Sequence, residues 1–293
     1  MILNCGVSNA IFLTAIGYSQ LNQIGLCKIM EAIIPKKVFA FVDTKPDENV
    51  YEICIALNDV LGVVFKTAKV FSDAHVNIRT LMLFEDAERG NMGYWTSFVD
   101  LAASGKSIGK LEEELRSLDV VQDVKIVKPQ PLNYDTLHFP IKYGGSTAMI
   151  MPVEPFGSLY EEIEKILTPS RFAAVFYNGG KKSGVFISQL IGKRYGLKGE
   201  DFIKALVQST QALGWGLVVD FKLDLHRPFC RVRVKGCFEA ILRGPRKEAA
   251  CHWTRGFAAG FLSTIVGKTL EAIEVDCAAK RDEFCEFEVC SGI

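Results

Sequence analysis

Three cysteines, Cys251, Cys277 and Cys285, are the residues of this 293-residue chain best placed by type and spacing to do chemistry. A thiolate is a nucleophile and a soft metal ligand, and a buried thiol is also a good core residue. Cys251 opens "CHWTRGFAAGFLSTIVG", where Trp253, Phe257, Phe261 and Ile265 recur every four residues as one helical stripe. A thiol in the first turn of such a helix is favoured as a thiolate by the helix dipole. In "AIEVDCAAKRDEFCEFEVC" the period falls to two, the signature of a strand hairpin. Ile273, Val275 and Cys277 then share one face, and Glu274 and Asp276 take the other. Beyond the polar turn Cys285, Phe287 and Val289 share a face, while Cys290 points away. Opposed Cβ atoms across an antiparallel pair lie about 4.5–5.5 Å apart, so both inward thiols can reach one ion. The spacing C-x25-C-x7-C is not the common C-x2-C zinc pattern. The residues alone leave buried core cysteines and a metal site both open, and a metal site needs a fourth ligand.

Composition narrows the classes. With 34 basic and 34 acidic residues the formal net charge is zero, which gives no footprint for nucleic acid. Apolar residues make up 49% and charged residues 23%, the balance of a folded chain. Nine cysteines at uneven spacing argue against a disulfide framework and for a reducing, cytoplasmic setting. The four histidines form no evident nucleophile–base pair, and no G-x-G-x-x-G dinucleotide loop is present; "YNGGKKSG" is not one. Residues 1–29 carry one charge, Lys28, and match neither a signal peptide nor a membrane span. They are expected to be an extension from a misplaced start codon, with Met30 opening the periodic sequence.

Two domains are expected, over 30–130 and 131–293. From Lys36 to about Gln130, "VFAFVDT" and "YEICIAL" are strands, "VVFKTAKVFSDA" a helix, "VNIRTLMLFED" and "GYWTSFVDL" strands joined at "AERGN", "SIGKLEEELRSL" a helix capped by Ser107, and "VQDVKIVK" a strand. That βαββαβ order predicts a ferredoxin-like sandwich. The stretch from Lys128 to Gly145, with three prolines, is the expected linker. Beyond it "STAMIMP" is an expected strand, and helices are expected from near Ser158, across "SRFAAVFYNGGKKSGVFISQLIGKRYG" and across "GEDFIKALVQSTQALG". The strands "WGLVVDFKLD" and "CRVRVKG" precede the Cys251 helix and the final hairpin. Glycines at 180, 184, 256 and 260 predict helices whose backbones approach closely.

The stretch "LNDVLGVVFKTAKVFSDAHVNIRTL" resembles the ACT domain, a ferredoxin-like regulatory module. The resemblance implies an amino-acid site, often across a homodimer, at the strand-to-helix turn, here Asn58, Asp59, Gly62 and Asn77. Leu61 stands where that family's turn carries proline. From about Pro140 to the end the chain resembles the 4-vinyl reductase domain family, through "YNGGKKSG", "LGWG", "CFEA", C-H-x-x-x-G-x-x-x-G and the closing C-x7-C. The family includes sensing domains of aromatic-responsive transcription activators and a protein linked to bacteriochlorophyll vinyl reduction. The resemblance implies an α+β domain with zinc held by Glu239, Cys251, Cys277 and Cys285 in a closed, structural site.

Three functions follow from these readings. The first is a small-molecule sensor whose apolar cavity holds a hydrophobic or aromatic ligand, without catalysis. Candidate lining residues are Phe176, Tyr177, Phe186, Trp215, Trp253 and Phe257, each of which also suits plain core packing. Ala240, Ile241 and Leu242 after Glu239 offer no donor to a phenol hydroxyl, so apolar contact is expected to dominate. The second is an enzyme or accessory factor acting on a tetrapyrrole vinyl group, and the third a dimerising interaction protein without ligand. A chain starting at Met30 is expected to melt at the same temperature as the whole chain by circular dichroism; a large loss of stability contradicts the reading of 1–29.

Overall fold

The computed structural model describes residues 41–42, 49–85, 90–128, 133–143, 145–224 and 227–291. The extension over 1–29, all of "VFAFVDT" but Phe41 and Val42, most of "AERGN", and His226 lie outside the described residues. The chain divides into two compact units, with the division between Ile141 and Lys142.

The first unit runs β1 (Val50–Asn58), α1 (Val63–Asp73), β2 (Asn77–Glu85), β3 (Met92–Asp100), α2 (Ile108–Arg116) and β4 (Val121–Val127). The strands pair antiparallel in the order β2-β3-β1-β4, the ferredoxin-like sandwich expected. Alternation decides its faces. Ile53, Ile55 and Leu57 point into the core and meet Phe71 of α1 and Leu111 and Leu115 of α2. Phe71 stacks on Trp95 at 5.6 Å. Ser107 caps α2 as its side chain accepts from the Lys110 N–H. The opposite face of β1 carries Glu52 and Cys54, and residues 133–141 belong to this unit. The Thr136 N–H and hydroxyl donate to Glu52, which packs much of the expected linker onto the sheet.

The second unit runs α3 (Val153–Ile166), α4 (Pro169–Tyr195), α5 (Gly199–Ala212), β5 (Leu217–Asp224), β6 (Phe229–Lys235), α6 (Phe238–Arg243), α7 (His252–Val266), β7 (Leu270–Asp276) and β8 (Cys285–Ser291). Its sheet is antiparallel in the order β7-β8-β6-β5. Two local expectations are corrected. In "STAMIMP" only Ser146 and Thr147 form a strand, in a two-residue pairing with Lys142–Tyr143, and Met149, Ile150 and Met151 are exposed. The following helix begins at Val153 rather than near Ser158. Pro155 does not break it, because a first-turn residue has no intrahelical N–H bond to lose.

The crossing of α4 on α7 positions everything downstream. A Cβ on Gly180 would lie 2.0 Å from the Trp253 carbonyl oxygen, and one on Gly184 2.2 Å from that of Phe257. In the reverse direction Gly256 would meet the Tyr177 carbonyl at 2.1 Å and Gly260 that of Lys181 at 1.9 Å. Each helix therefore presents two glycines to the other's backbone, as the four positions predicted. Lys181 and Tyr177 of α4 both donate to Glu271 of β7, which fixes the pair against the sheet. Gly184→Ala should lower stability by about 3 kcal/mol or more, since backbone must move to admit the methyl group. Gly179→Ala, with nothing within 4 Å of the new Cβ, should instead gain up to about 1 kcal/mol from helix propensity. Equal effects in urea denaturation would contradict the crossing.

Candidate metal centre and apolar cavity

Cys251, Cys277 and Cys285 come together from three elements, all fully buried. Cys251 is the residue before α7, Cys277 follows β7 and Cys285 opens β8. The Cys251 sulfur lies 3.8 Å from that of Cys277 and 3.7 Å from that of Cys285. Zinc–sulfur bonds of about 2.3 Å in tetrahedral array demand sulfur–sulfur edges of about 3.8 Å, so the spacing suits a zinc ion. Backbone supports the charge such sulfurs would carry: the Ala278 N–H donates to Cys285 at 3.3 Å, and hydrogen bonds from Cys251 and Cys285 lower the pKa of the Cys277 thiol.

The carboxylate beside these thiols is Glu274, not Glu239. One ligand atom each from Cys251, Glu274, Cys277 and Cys285 all lie within 4.8 Å of one another. Glu274 Oε2 accepts from the Cys251 N–H at 2.9 Å, while Oε1 is buried without a hydrogen-bond partner. Burial pushes the Glu274 pKa up to about 9, the state of a carboxylate lacking a compensating charge. An orphaned carboxylate oxygen aimed at three thiols is a donor set that a divalent cation fits. Strict alternation places Glu274 on the outer face, and a bulge corrects that. The β7–β8 register shifts between Glu274 and Asp276, so the extra residue, Val275, is turned out to solvent. Glu274 and Cys277, three residues apart, therefore face the same side.

Glu239 serves the neighbouring helix. It is fully buried, and its carboxylate accepts from the Trp253 N–H at 2.9 Å, the Thr254 N–H at 2.8 Å, the Thr254 hydroxyl at 2.8 Å and Tyr160 at 3.4 Å. Burial pushes its pKa up to about 7, partly offset by those backbone donors. The residue before α7 gives no side-chain cap, so Glu239 satisfies that helix's first N–H groups from α6. Cys237, unforeseen from sequence, adds a fourth buried thiol 3.9 Å from Cys251, with Thr254 at 3.6 Å on its other side. Cys290 faces away and is disulfide-bonded, so the expectation against disulfides holds for the six free described cysteines.

Beside this centre lies a cavity of about 70 Å³ enclosed by α5, α7 and the sheet. About 10–15 Å³ admits one water, so there is room for a small organic molecule. Trp215, Trp253 and Phe257 line it, as does Phe238, with Leu206, Val207, Phe221, Val232 and Phe287 among the other walls. Trp215 meets Trp253 and Phe257 edge-on, each at 5.2 Å. Its two hydroxyls are committed, Thr210 donating to the Val207 carbonyl and Thr254 to Glu239. The other candidate lining residues lie elsewhere. Phe176 packs with Tyr160 and Phe172, Tyr177 bonds Glu271, and Phe186 is exposed. Helical period alone does not separate these aromatics, because the wall is completed by alternating strand residues 218–234.

In the first unit, the Asn58 N–H donates to Val120 and the Asp59 N–H to Asn91, while Gly62 takes a left-handed conformation before α1. Asn77 is exposed at the start of β2, across from Asp100.

An α+β unit with a thiol cluster behind an aromatic-walled cavity defines a ligand-holding class. Residues 230–290 match the family model of the 4-vinyl reductase domain, so the second unit carries that domain. No curated protein matches the chain. Similar solved structures include the phenol-responsive sensory domain of the transcription activator PoxR with phenol, at 17% identity, covering 50% of this chain and 78% of that one with a TM-score of 0.45. A vinyl-4-reductase family protein from Methanocaldococcus jannaschii is 18% identical, covering 50% and 85% with a TM-score of 0.36. An ACT domain from a GTP pyrophosphokinase of Chlorobium tepidum is 20% identical, covering 27% and 96% with a TM-score of 0.23. The order of an ACT-like unit followed by a 4-vinyl reductase domain agrees with the sequence resemblance. Among the described residues no helix is long and apolar enough to cross a membrane.

For a metal at Cys251, Glu274, Cys277 and Cys285, Glu274→Gln should lower zinc content or affinity at least about tenfold, while Cys237→Ser keeps one zinc per chain. Cys285→Ser should unfold the second unit, because metal binding and folding are coupled. Elemental analysis with circular dichroism checks all three, and metal lost with Cys237→Ser but kept with Glu274→Gln would reverse the ligand assignment.

Proposed function

We propose that the chain is a small-molecule sensor whose 4-vinyl reductase unit holds an apolar or aromatic ligand and is stapled by one structural zinc. The observation that carries this is the cavity itself, an aromatic-walled space in which both hydroxyl hydrogens are already committed. Zinc belongs at Cys251, Glu274, Cys277 and Cys285, where all four ligands are protein atoms, the closed arrangement of a structural site. Cys237 and Glu239 act beside it, holding the start of α7.

Binding rather than catalysis suits the wall chemistry. The one titratable side chain among the described lining residues is Cys230, and burial raises its thiol pKa, which keeps it an unreactive thiol. The first unit is the regulatory partner in this reading, with an amino acid at the Asn58–Gly62 turn and pairing of two copies as its proposed roles. The six free thiols support a cytoplasmic setting.

Native mass spectrometry of the purified protein should show a bound hydrophobe, and calorimetry should rank toluene above phenol. A phenol hydroxyl that finds no partner loses about 1–3 kcal/mol, or roughly 5- to 150-fold in affinity. Val232→Trp, which fills the cavity from β6, should abolish binding while the thermal midpoint stays within a few degrees. Micromolar phenol binding that disappears in Thr254→Val would contradict this account.

A further inference from the structure

The first unit holds a second group of side chains with ligand chemistry. Glu52, on the β1 face turned away from α1 and α2, is 3% exposed. Its carboxylate accepts from the Thr136 N–H at 3.2 Å, the Thr136 hydroxyl at 3.0 Å and the Leu137 N–H at 3.4 Å. Asp135 Oδ1 lies 2.7 Å from His138 Nδ1, and His138 Nε2 lies 2.9 Å from the Thr96 hydroxyl oxygen. Ligand atoms of Glu52, Asp135 and His138 are all within 4.8 Å of one another.

The Glu52 and Asp135 carboxyl groups hydrogen-bond each other. Two carboxylates in contact cannot both ionise unless a cation or a shared proton lies between them. Among the described residues neither is paired with Lys or Arg, and His138 is the basic partner of Asp135. The side chains of His138 and Asp135 are 24% and 20% exposed, which gives an ion a way in and leaves coordination positions open to water.

We propose that Glu52, Asp135 and His138 form a second metal site, distinct from the thiol cluster, for a divalent cation of the manganese, iron or zinc type. Two carboxylates and one imidazole make an oxygen-rich, hard donor set, unlike three thiolates. On binding, the pair loses its shared proton, and His138 turns the Nδ1 lone pair from Asp135 to the ion. The Nε2–H then donates to Thr96, the outer bond that fixes the ring's tautomer. Because the ligands come from β1 and from residues 135 and 138, the ion clamps the segment leading to Ile141 onto the sheet.

Manganese(II) is the probe, since the thiol cluster favours softer zinc. Electron paramagnetic resonance titration of the full chain should show one Mn²⁺ bound, displaced by added Zn²⁺. Glu52→Gln and His138→Ala should each remove it, while Asp59→Asn, an acid elsewhere in the same unit, should keep it. Circular dichroism reports whether each variant is folded; should Glu52→Gln fail to fold, His138→Ala, with its part-exposed ring, decides. Three results overturn the proposal: no Mn²⁺ uptake by the wild type, uptake unchanged in both variants, or no uptake together with a more stable Glu52→Gln, the mark of a proton-sharing carboxyl pair.

Discussion

The start of α7 is the constraint on which the second unit depends. Its opening N–H groups are taken by two buried carboxylates, Glu274 on Cys251 and Glu239 on Trp253 and Thr254. Buried N–H groups without partners cost about 1–3 kcal/mol each, so these residues hold the helix in one place rather than merely decorate it. The same four-residue stretch supplies a sulfur to the thiol cluster and, at Trp253 and Thr254, the wall of the cavity. Whatever fixes the metal centre therefore also sets the shape of the ligand space.

The glycine crossing acts on the same helix from the other side. With α4 backbone against α7 backbone, small shifts of α7 are blocked by direct contact rather than by compressible side chains. Tyr177 shows the connection: its ring lies under Arg255 of α7, while its hydroxyl donates to Glu271 and accepts from the Ala272 N–H on β7. Burial also lowers the His252 pKa to about 4, so a neutral ring sits at the head of the helix. A ligand pressing on Trp253 or Phe257 pushes on an element clamped at its first turn and along one face. Such an element moves as a unit or not at all, which suits a sensor better than a flexible enzyme lid.

Much of this was legible in the residues, and the failures have physical causes. Period two in β1 and β3 and period four in α7 defined the ferredoxin-like sandwich and the apolar stripe, because burial decides those patterns. The four crossing glycines could be read because no other residue admits backbone that close. Glu274 was not legible, since a single bulge residue, Val275, reverses the faces that alternation assigns. Glu239 carries the same donor chemistry, but its partner is a helix end, and helix ends fourteen residues away leave no periodic trace. Phe186 looked like a cavity residue because an aromatic on a helix has no label saying whether its face meets core or solvent. The strap over Glu52 was hidden for a related reason: three prolines read as a linker, although the intervening Thr136 and His138 bond to the sheet.

X-ray absorption at the zinc edge, on the purified full chain carrying one zinc, tests the central claim most directly. The account predicts three sulfurs at about 2.3 Å and one oxygen at about 2.0–2.2 Å from the metal. Four sulfurs would put Cys237 in place of Glu274, and a shell of nitrogen and oxygen alone would place the metal away from the thiols; either result would contradict the account.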